Sequence, residues 1–284
     1  MTKVCTLTEA VHTLVRDGDT VVLGTGLEHA IPFAAGHEII RQRKRNLTLV
    51  GPISDILFDQ LIGGGCVKKV EAAWIGNVAG GSAYNFRRAV ESGAIEMVDH
   101  SNLTVALRLQ AAAWGVPFLP TRTALGSDLM DNPSLKSMRC PFTNELLVAV
   151  AALSPDVAII HAQRADANGN AYCLGNLGIT TQAVGASRRV LLTVEEIVEP
   201  EIICERPELV AFSGTCVTAV VKVPFGAHPS PLVGYYHRDD AYFLDYHARS
   251  KTPQEFEKWL AEWVSHLPDR AQYLSKIKIE KLRL

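Results

Sequence analysis

Two apolar rhythms alternate along this chain. Leu7, Ala10, Val11, Leu14 and Val15 recur at the spacing of one helix face, behind Thr6-Leu7-Thr8-Glu9, which has the form of a capping box. Asp17-Gly18-Asp19 ends that helix. Thr20–Leu23 follows as a short strand with Gly24-Thr25-Gly26 at its carboxyl end. Pro32 suits the first turn of a second helix, running to about Arg43. The alternation continues with strands at Leu47–Val50, Val67–Ile75 and Ile95–Val98. Helices are predicted at Asp55–Ile62, at Ala83–Glu91 and from the Ser101 cap to Trp114, with glycines just beyond each. Further strands are predicted at Val148–Ala151, Val157–Ile160, Ala171–Leu174, Val190–Val194 and Val217–Val223. Leu125–Pro141 is mostly polar and rich in turn residues, and reads as a long, partly mobile loop.

Val157–Ile160 is the centre of the pattern. It is too short for a helix, rich in β-branched residues and flanked by turn chemistry, so it reads as a strand buried on both faces. Asp166-Ala167-Asn168-Gly169-Asn170 beyond it is a tight turn, because Asp and Asn bond their own backbone and Gly takes the positive-φ position. Strands alternating with helices predict an α/β fold, an open and mostly parallel sheet with helices on both faces. No repeat, low-complexity segment or linker interrupts residues 1–284, which read as a single domain. Its last part differs. Thr252-Pro253-Gln254-Glu255 opens a helix, about 252–266, with Phe256, Trp259, Leu260 and Trp263 in an apolar stripe. That helix either docks on the core or lends part of its aromatic face to a partner subunit.

Composition narrows the function classes. Hydrophobic residues make up 48% of the chain and charged residues 20%, enough apolar material for a core and no signature of disorder. A net charge of −2 argues against a general nucleic-acid binder. The longest wholly apolar run, Leu146–Leu153, is too short to span a bilayer, and the N-terminus lacks a signal pattern. The six cysteines are scattered without Cys-x-x-Cys. They read as free thiols of a reducing cytoplasm and not as a zinc site.

In open α/β sheets, ligands bind beyond the carboxyl ends of the strands, where helix N-termini offer free N–H groups. Gly24-Thr25-Gly26-Leu27-Glu28-His29 sits at such a place. It is not G-x-G-x-x-G, because His29 stands at the third glycine's position, so the spacing does not point to a dinucleotide site; the glycines serve either the turn alone or a close approach of backbone to substrate. Glu28 and His29 would then reach the ligand. Gly76-Asn77-Val78-Ala79-Gly80-Gly81-Ser82 follows another strand, as a small anion-binding turn or a simple cap. Gly126-Ser127 is a third such place and His100-Ser101-Asn102 a fourth, where Ser101 reads as a cap. His161 and His228 read first as structural histidines. Glu195-Glu196 fits either a pair of acids at a strand end or the opening turn of a helix. No Gly-x-Ser-x-Gly elbow, His-Glu-x-x-His or P-loop is present.

Beyond these local readings, the string D-V-A-I-I-H-A-Q-x-A-D-x-x-G-N at 156–170 strongly resembles the centre of the family I CoA-transferases, in particular the A subunits of glutaconate CoA-transferase type. The likeness runs the length of the chain: Leu7–Gly24, Gln110–Pro120, Leu125–Leu129, Thr193–Val198 and Val223–Ser230 are all similar to that type. It implies a Rossmann-like layered sheet and transfer of CoA from an acyl-CoA to a free carboxylate. It also implies a covalent ping-pong course through an acyl anhydride and a glutamyl-CoA thioester. In two-subunit members the glutamate belongs to the B subunit, often within Ser-Glu-Asn-Gly, a string missing here. The resemblance therefore implies no catalytic residue in this chain, no permanently bound cofactor, CoA as substrate, and a B-subunit partner in a heterotetramer or larger assembly. This chain would supply one wall of the acyl pocket, drawn from Gly24, Thr25, Gly26, Glu28, His29, Asn77, Ser82, Asn102, Gly126 and Ser127.

Two departures bear on substrate. Glutaconate-type A subunits carry an arginine in the first glycine loop where this chain has Ala30, beside His29. A guanidinium is the natural anchor for a dicarboxylate's far end, so either His29 replaces it or the substrate lacks a second carboxylate. Relatives turned to ring-opening hydrolysis or to decarboxylation form an alternative class. The hydrolase reading is disfavoured, because Asn102 stands where that enzyme has a glutamate and cannot act as a base. A non-catalytic binding protein on the same scaffold is the third reading.

Overall fold

The computed structural model of the chain describes residues 3–277 and 279–283. Helix α1 (Leu7–Leu14) opens with a complete capping box: the Thr6 hydroxyl accepts from Glu9 N at 3.2 Å, and the Glu9 carboxylate accepts from Thr6 N at 2.9 Å. The alternation then holds through β1 (Thr20–Val22), α2 (Phe33–Arg41), β2 (Leu47–Ile53), α3 (Asp55–Gly63), β3 (Val67–Trp74), α4 (Tyr84–Glu91), β4 (Glu96–Asp99) and α5 (Asn102–Ala113). Three strands come next, β5 (Phe118–Thr121), β6 (Leu135–Arg139) and β7 (Leu146–Ala151). The chain returns to its rhythm with β8 (Val157–Ala165), β9 (Ala171–Tyr172), α6 (Thr180–Ala186), β10 (Arg189–Ile197), α7 (Pro200–Glu205), β11 (Val210–Phe212) and β12 (Ala219–Lys222). It closes on α8 (Asp240–Arg249), α9 (Pro253–Leu260) and α10 (Arg270–Ser275).

Seven strands lie parallel in the order β12-β10-β8-β1-β2-β3-β4, and β9 and β11 extend the sheet antiparallel beyond the end of β8. The direction of winding reverses between β1 and β8, so the switch point of the sheet falls there. β8 pairs with β10 over its whole length, from Val157 to Ala165. On its other side it meets β1 only at Val157 and Ala158, and β9 only at Arg164 and Ala165. Among the described residues no strand covers 159–163 on that side, which leaves a gap at the switch point.

The sheet separates two apolar layers. Val157 and Ile159 point into the layer under α1, α2, α3, α8 and α9, whereas Ala158, Ile160 and Ala162 point into the layer under α5 and α6. This is the doubly buried strand the apolar run predicts. The strand also continues past it, because His161 and Gln163, though polar, are buried and fully bonded.

The segment Leu125–Pro141 corrects the sequence reading of a mobile loop. It folds as a 3₁₀ turn, Asp128–Asp131, and then strand β6. β5, β7 and β6 form a separate three-stranded antiparallel sheet, so Val148–Ala151 is not part of the parallel sheet. In β6 only Leu135 is deeply buried, against Val148 and Val150, while Lys136, Ser137 and Arg139 face water. A half-buried strand with so polar an outer face leaves little apolar signal. The small sheet is tied to the large one by polar bonds: Arg108 of α5 donates to Ala151 O and to the Glu71 carboxylate of β3, and Asn132 donates to Asp99 O. Burial works to raise the pKa of Glu71, but the His100 ring, 3.8 Å away, and the Arg108 guanidinium that donates to it outweigh burial and hold the carboxyl at about 2.

The aromatic stripe of the C-terminal helix packs inward. Trp259 is wholly buried, edge-on to Tyr246 and Tyr242 at 4.7 and 5.8 Å between ring centroids, and α9 runs on into a π-turn, Ala261–Ser265. Trp259→Ala is expected to cost about 3–5 kcal/mol, seen as a lower urea midpoint at unchanged slope. A loss below about 1 kcal/mol would mean the helix is only loosely docked. Among the described residues no helix is long and apolar enough to cross a membrane.

Candidate functional site

The carboxyl ends of β1, β2, β3 and β4 form one edge, and most of the residues singled out in the sequence lie along it. After β1 the chain turns sharply at Gly24 (φ +68°), where a Cβ would stand 2.9 Å from Ser54 Cα. A Cβ on Gly26 would stand 2.6 Å from His29 O, so both glycines are required by packing within the turn and against the β2 end. The Thr25 and Thr180 hydroxyls share a hydrogen bond at 2.7 Å. His29 Nε2 accepts from Val233 N at 3.0 Å. Burial, with the His161 charge adding to it, pushes the His29 pKa down to about 4. At neutral pH its ring is therefore uncharged and carries its proton on Nδ1, as a donor and not as a cation. Glu28 is half exposed at the rim, with its carboxylate 3.5 Å from the Arg238 guanidinium. Thr25, Gly26 and His29, with His161, Gln163 and Asn176, enclose a cavity of about 20 Å³ beside the gap in the sheet.

At the end of β2 the first residue of α3, Asp55, adopts a left-handed φ of +49° and is wholly buried. Its Oδ1 accepts from Val78 N at 3.2 Å, while Oδ2 has no partner among the described residues. Burial pushes its pKa up to about 7; the Val78 N–H opposes the rise and Glu28 adds to it. A strained, half-satisfied acid at a strand-to-helix junction is a feature that clusters at functional sites.

The loop after β3 is built on Asn77. Its amide donates to Phe243 O at 2.8 Å, and its Oδ1 accepts from Ala79 N and Gly80 N, both at 2.9 Å, so the side chain is committed to bracing the loop. Ser82 is exposed in the same loop. Asn102 is exposed at the start of α5, next to the Ser101 cap. The Ser127 hydroxyl donates to Ala124 O, and Gly126 (φ +78°) faces open space. Asn132 ties that loop to the end of β4. Three strand spacings, about 14 Å, separate the β1 end from the β4 end. Gly24 to His29, Asp55 and the Asn77 loop are thus brought together, and Asn102, Gly126 and Ser127 lie further along the edge.

On the other side of the switch point, Glu195 of β10 is the hub. Its carboxylate accepts from His161 Nε2 (2.9 Å), Tyr236 OH (2.8 Å), Gly226 N (3.2 Å) and Phe225 N (2.7 Å). Burial would raise its pKa, but these bonds outweigh it and keep the carboxyl below the usual range. His161 also shares a hydrogen bond with Thr193 Oγ1 at 2.9 Å. Both histidine nitrogens are engaged, so His161 braces the strands. Glu195 and Glu196 lie in a strand and do not open a helix.

A family model described as Coenzyme A transferase matches residues 4–223. The A subunit of 3-oxoadipate CoA-transferase from Pseudomonas knackmussii is 42% identical, over 98% of this chain and 99% of its own length. The A subunit of glutaconate CoA-transferase from Acidaminococcus fermentans is 34% identical, over 99% of this chain and 94% of its own. The crystal structure of glutaconate CoA-transferase from that organism superposes with a TM-score of 0.95, covering 99% of this chain and 96% of that one. The layered sheet, its switch-point site and these matches define the chain as a member of the coenzyme A transferase family. Within the family it is an A subunit of a CoA-transferase.

Proposed function

We propose that this chain, paired with a B subunit, forms one wall of a pocket in which CoA passes from a small acyl-CoA to a free carboxylic acid. The nucleophile is a glutamate of the partner. It attacks the thioester carbonyl and releases the CoA thiolate, leaving an acyl anhydride. The thiolate then attacks the glutamyl carbonyl, freeing the first acid and leaving a glutamyl-CoA thioester, and the second acid runs the sequence in reverse. CoA is substrate, not resident cofactor, and the assembly is a cytoplasmic heterotetramer or larger built from single-domain A subunits.

One observation carries the reading: this chain matches, nearly end to end, chains that are named as one subunit of such transferases. Its own carboxylates support it. Glu195 is enclosed by four donors and Asp55 is buried, so neither is placed to attack a thioester. His29, uncharged and with Nδ1–H available, suits donation to a carbonyl oxygen on which negative charge develops. The Asn77 loop and the loop at Gly126-Ser127 shape the same edge.

The test is partner-dependent transfer. The co-expressed pair is expected to move CoA between acids, and each chain alone to be inactive. Borohydride added with acyl-CoA should label a glutamate in the partner only. Label on Glu28, or full activity of this chain alone, would overturn the reading.

A further inference from the structure

Resting on the transferase reading, the geometry points to Arg238 as the group that holds a second, far carboxylate of the acyl substrate. Arg238 lies just before α8, in the segment that folds back over the β1 loop: Ser230 Oγ donates to Glu28 O at 2.9 Å, and Ala30 N donates to Pro231 O at 3.0 Å. The guanidinium is one-third exposed. It is fixed from behind, with Nε donating to Asp240 Oδ1 at 2.6 Å and Cζ 5.9 Å from the Phe243 ring centroid. Phe243 O in turn receives the Asn77 amide, so the arginine is anchored to the loop beyond β3 as well as to the one beyond β1.

The end of the guanidinium that faces the rim is barely used. Nη1 makes one long contact, 3.5 Å to Glu28, and Nη2 makes no hydrogen bond among the described residues. An arginine whose Nε is pinned and whose two terminal nitrogens are open is preorganised for a bidentate carboxylate. Glu28 then has a defined part. In the empty site it faces the Arg238 guanidinium at long range, and an incoming carboxylate displaces it there, so Glu28 and Asp240 are the charges with which the substrate competes. His29 offers one N–H donor at Nδ1 and no second, because its Nε2 already accepts from Val233 N, so it lacks the fork that a bidentate carboxylate needs. The substrate class follows: acyl groups that end in a second carboxylate, held at the rim beyond β1 and β3 with the thioester end free to meet the partner's glutamate.

The experiment uses the co-expressed complex with two acceptor acids of equal length, 3-oxoadipate and 3-oxohexanoate, which differ only in the far carboxylate. Arg238→Gln is expected to lower the kcat/KM ratio of 3-oxoadipate to 3-oxohexanoate about 50-fold, mainly through KM for the diacid. Arg238→Lys, which keeps the charge and loses the fork, is expected to fall between, and Glu28→Gln to shift KM for the diacid and not for the monoacid. Equal losses on both acids, or an unchanged ratio, would overturn the proposal. Calorimetric binding of free 3-oxoadipate to the complex needs no turnover: a Kd unchanged by Arg238→Gln overturns the proposal even where no transfer is seen. Absence of transfer by the unaltered complex to any acid overturns the transferase reading instead.

Discussion

Asp55→Asn is expected to make the protein more stable, and the gain should grow with pH. The folded-state pKa of Asp55 stands at about 7 against an ordinary 3.8. Below both values the carboxyl is protonated in folded and unfolded chains alike, and its ionisation costs nothing. As pH rises from about 4 to 7, the unfolded chain releases the proton while the folded one retains it, and stability drains away through this group. The ceiling on that loss is about 4 kcal/mol, reached above pH 7. Asparagine does not titrate, tolerates the left-handed backbone, and keeps an oxygen for Val78 N. Urea unfolding at pH 5 and pH 8 is the measurement. Asp55→Asn should gain about 2 kcal/mol on the unaltered protein between the two. A gap that does not widen would mean that Asp55 is ionised without cost. A buried acid that costs the fold this much at a strand-to-helix junction is the kind of strained group that clusters at functional sites.

Glu195→Gln is expected to do the opposite, at a cost of about 3–5 kcal/mol at pH 7. The carboxylate collects two backbone N–H groups, a phenol and an imidazole. An amide offers one oxygen and one NH₂, so whichever way it turns, an N–H group faces another donor across a dry contact. Because the carboxyl is held below its usual range, its contribution is present at neutral pH and is lost as pH falls through its folded value. The deficit of Glu195→Gln measured by chemical denaturation should therefore shrink in acid. A deficit of the same size at every pH would place the loss in packing and not in charge.

The parallel sheet is legible in the sequence because its strands are continuous apolar runs. Val157–Ile160 could be placed as doubly buried from four residues. Strand β6 is not legible, since a strand with one deeply buried residue among Lys136, Ser137 and Arg139 has nothing periodic to show. The glycine loop after β1 was legible because close packing leaves a compositional trace. Asp55 was not, because an aspartate at the start of a helix is ordinary and only the fold reveals that it is buried with positive φ. Arg238 carries no motif at all. It meets Glu28 across 210 positions, a juxtaposition that only the return of the chain after β12 creates.

The gap beside β8 has a consequence for how this architecture diversifies. Where a neighbouring strand would sit, the Gln163 amide accepts from Leu174 N at 3.0 Å and donates to Leu174 O and Val233 O at 3.2 and 3.1 Å. One side chain thus does the work of a ladder, and it fastens two loops without fixing their lengths. A change in either loop is therefore met at Gln163 and at the β1 loop, to which Val233 N and Ile179 N are bonded, and not in the interstrand pairing. A scaffold of this kind acquires new specificities by changing its fittings and leaving its frame alone.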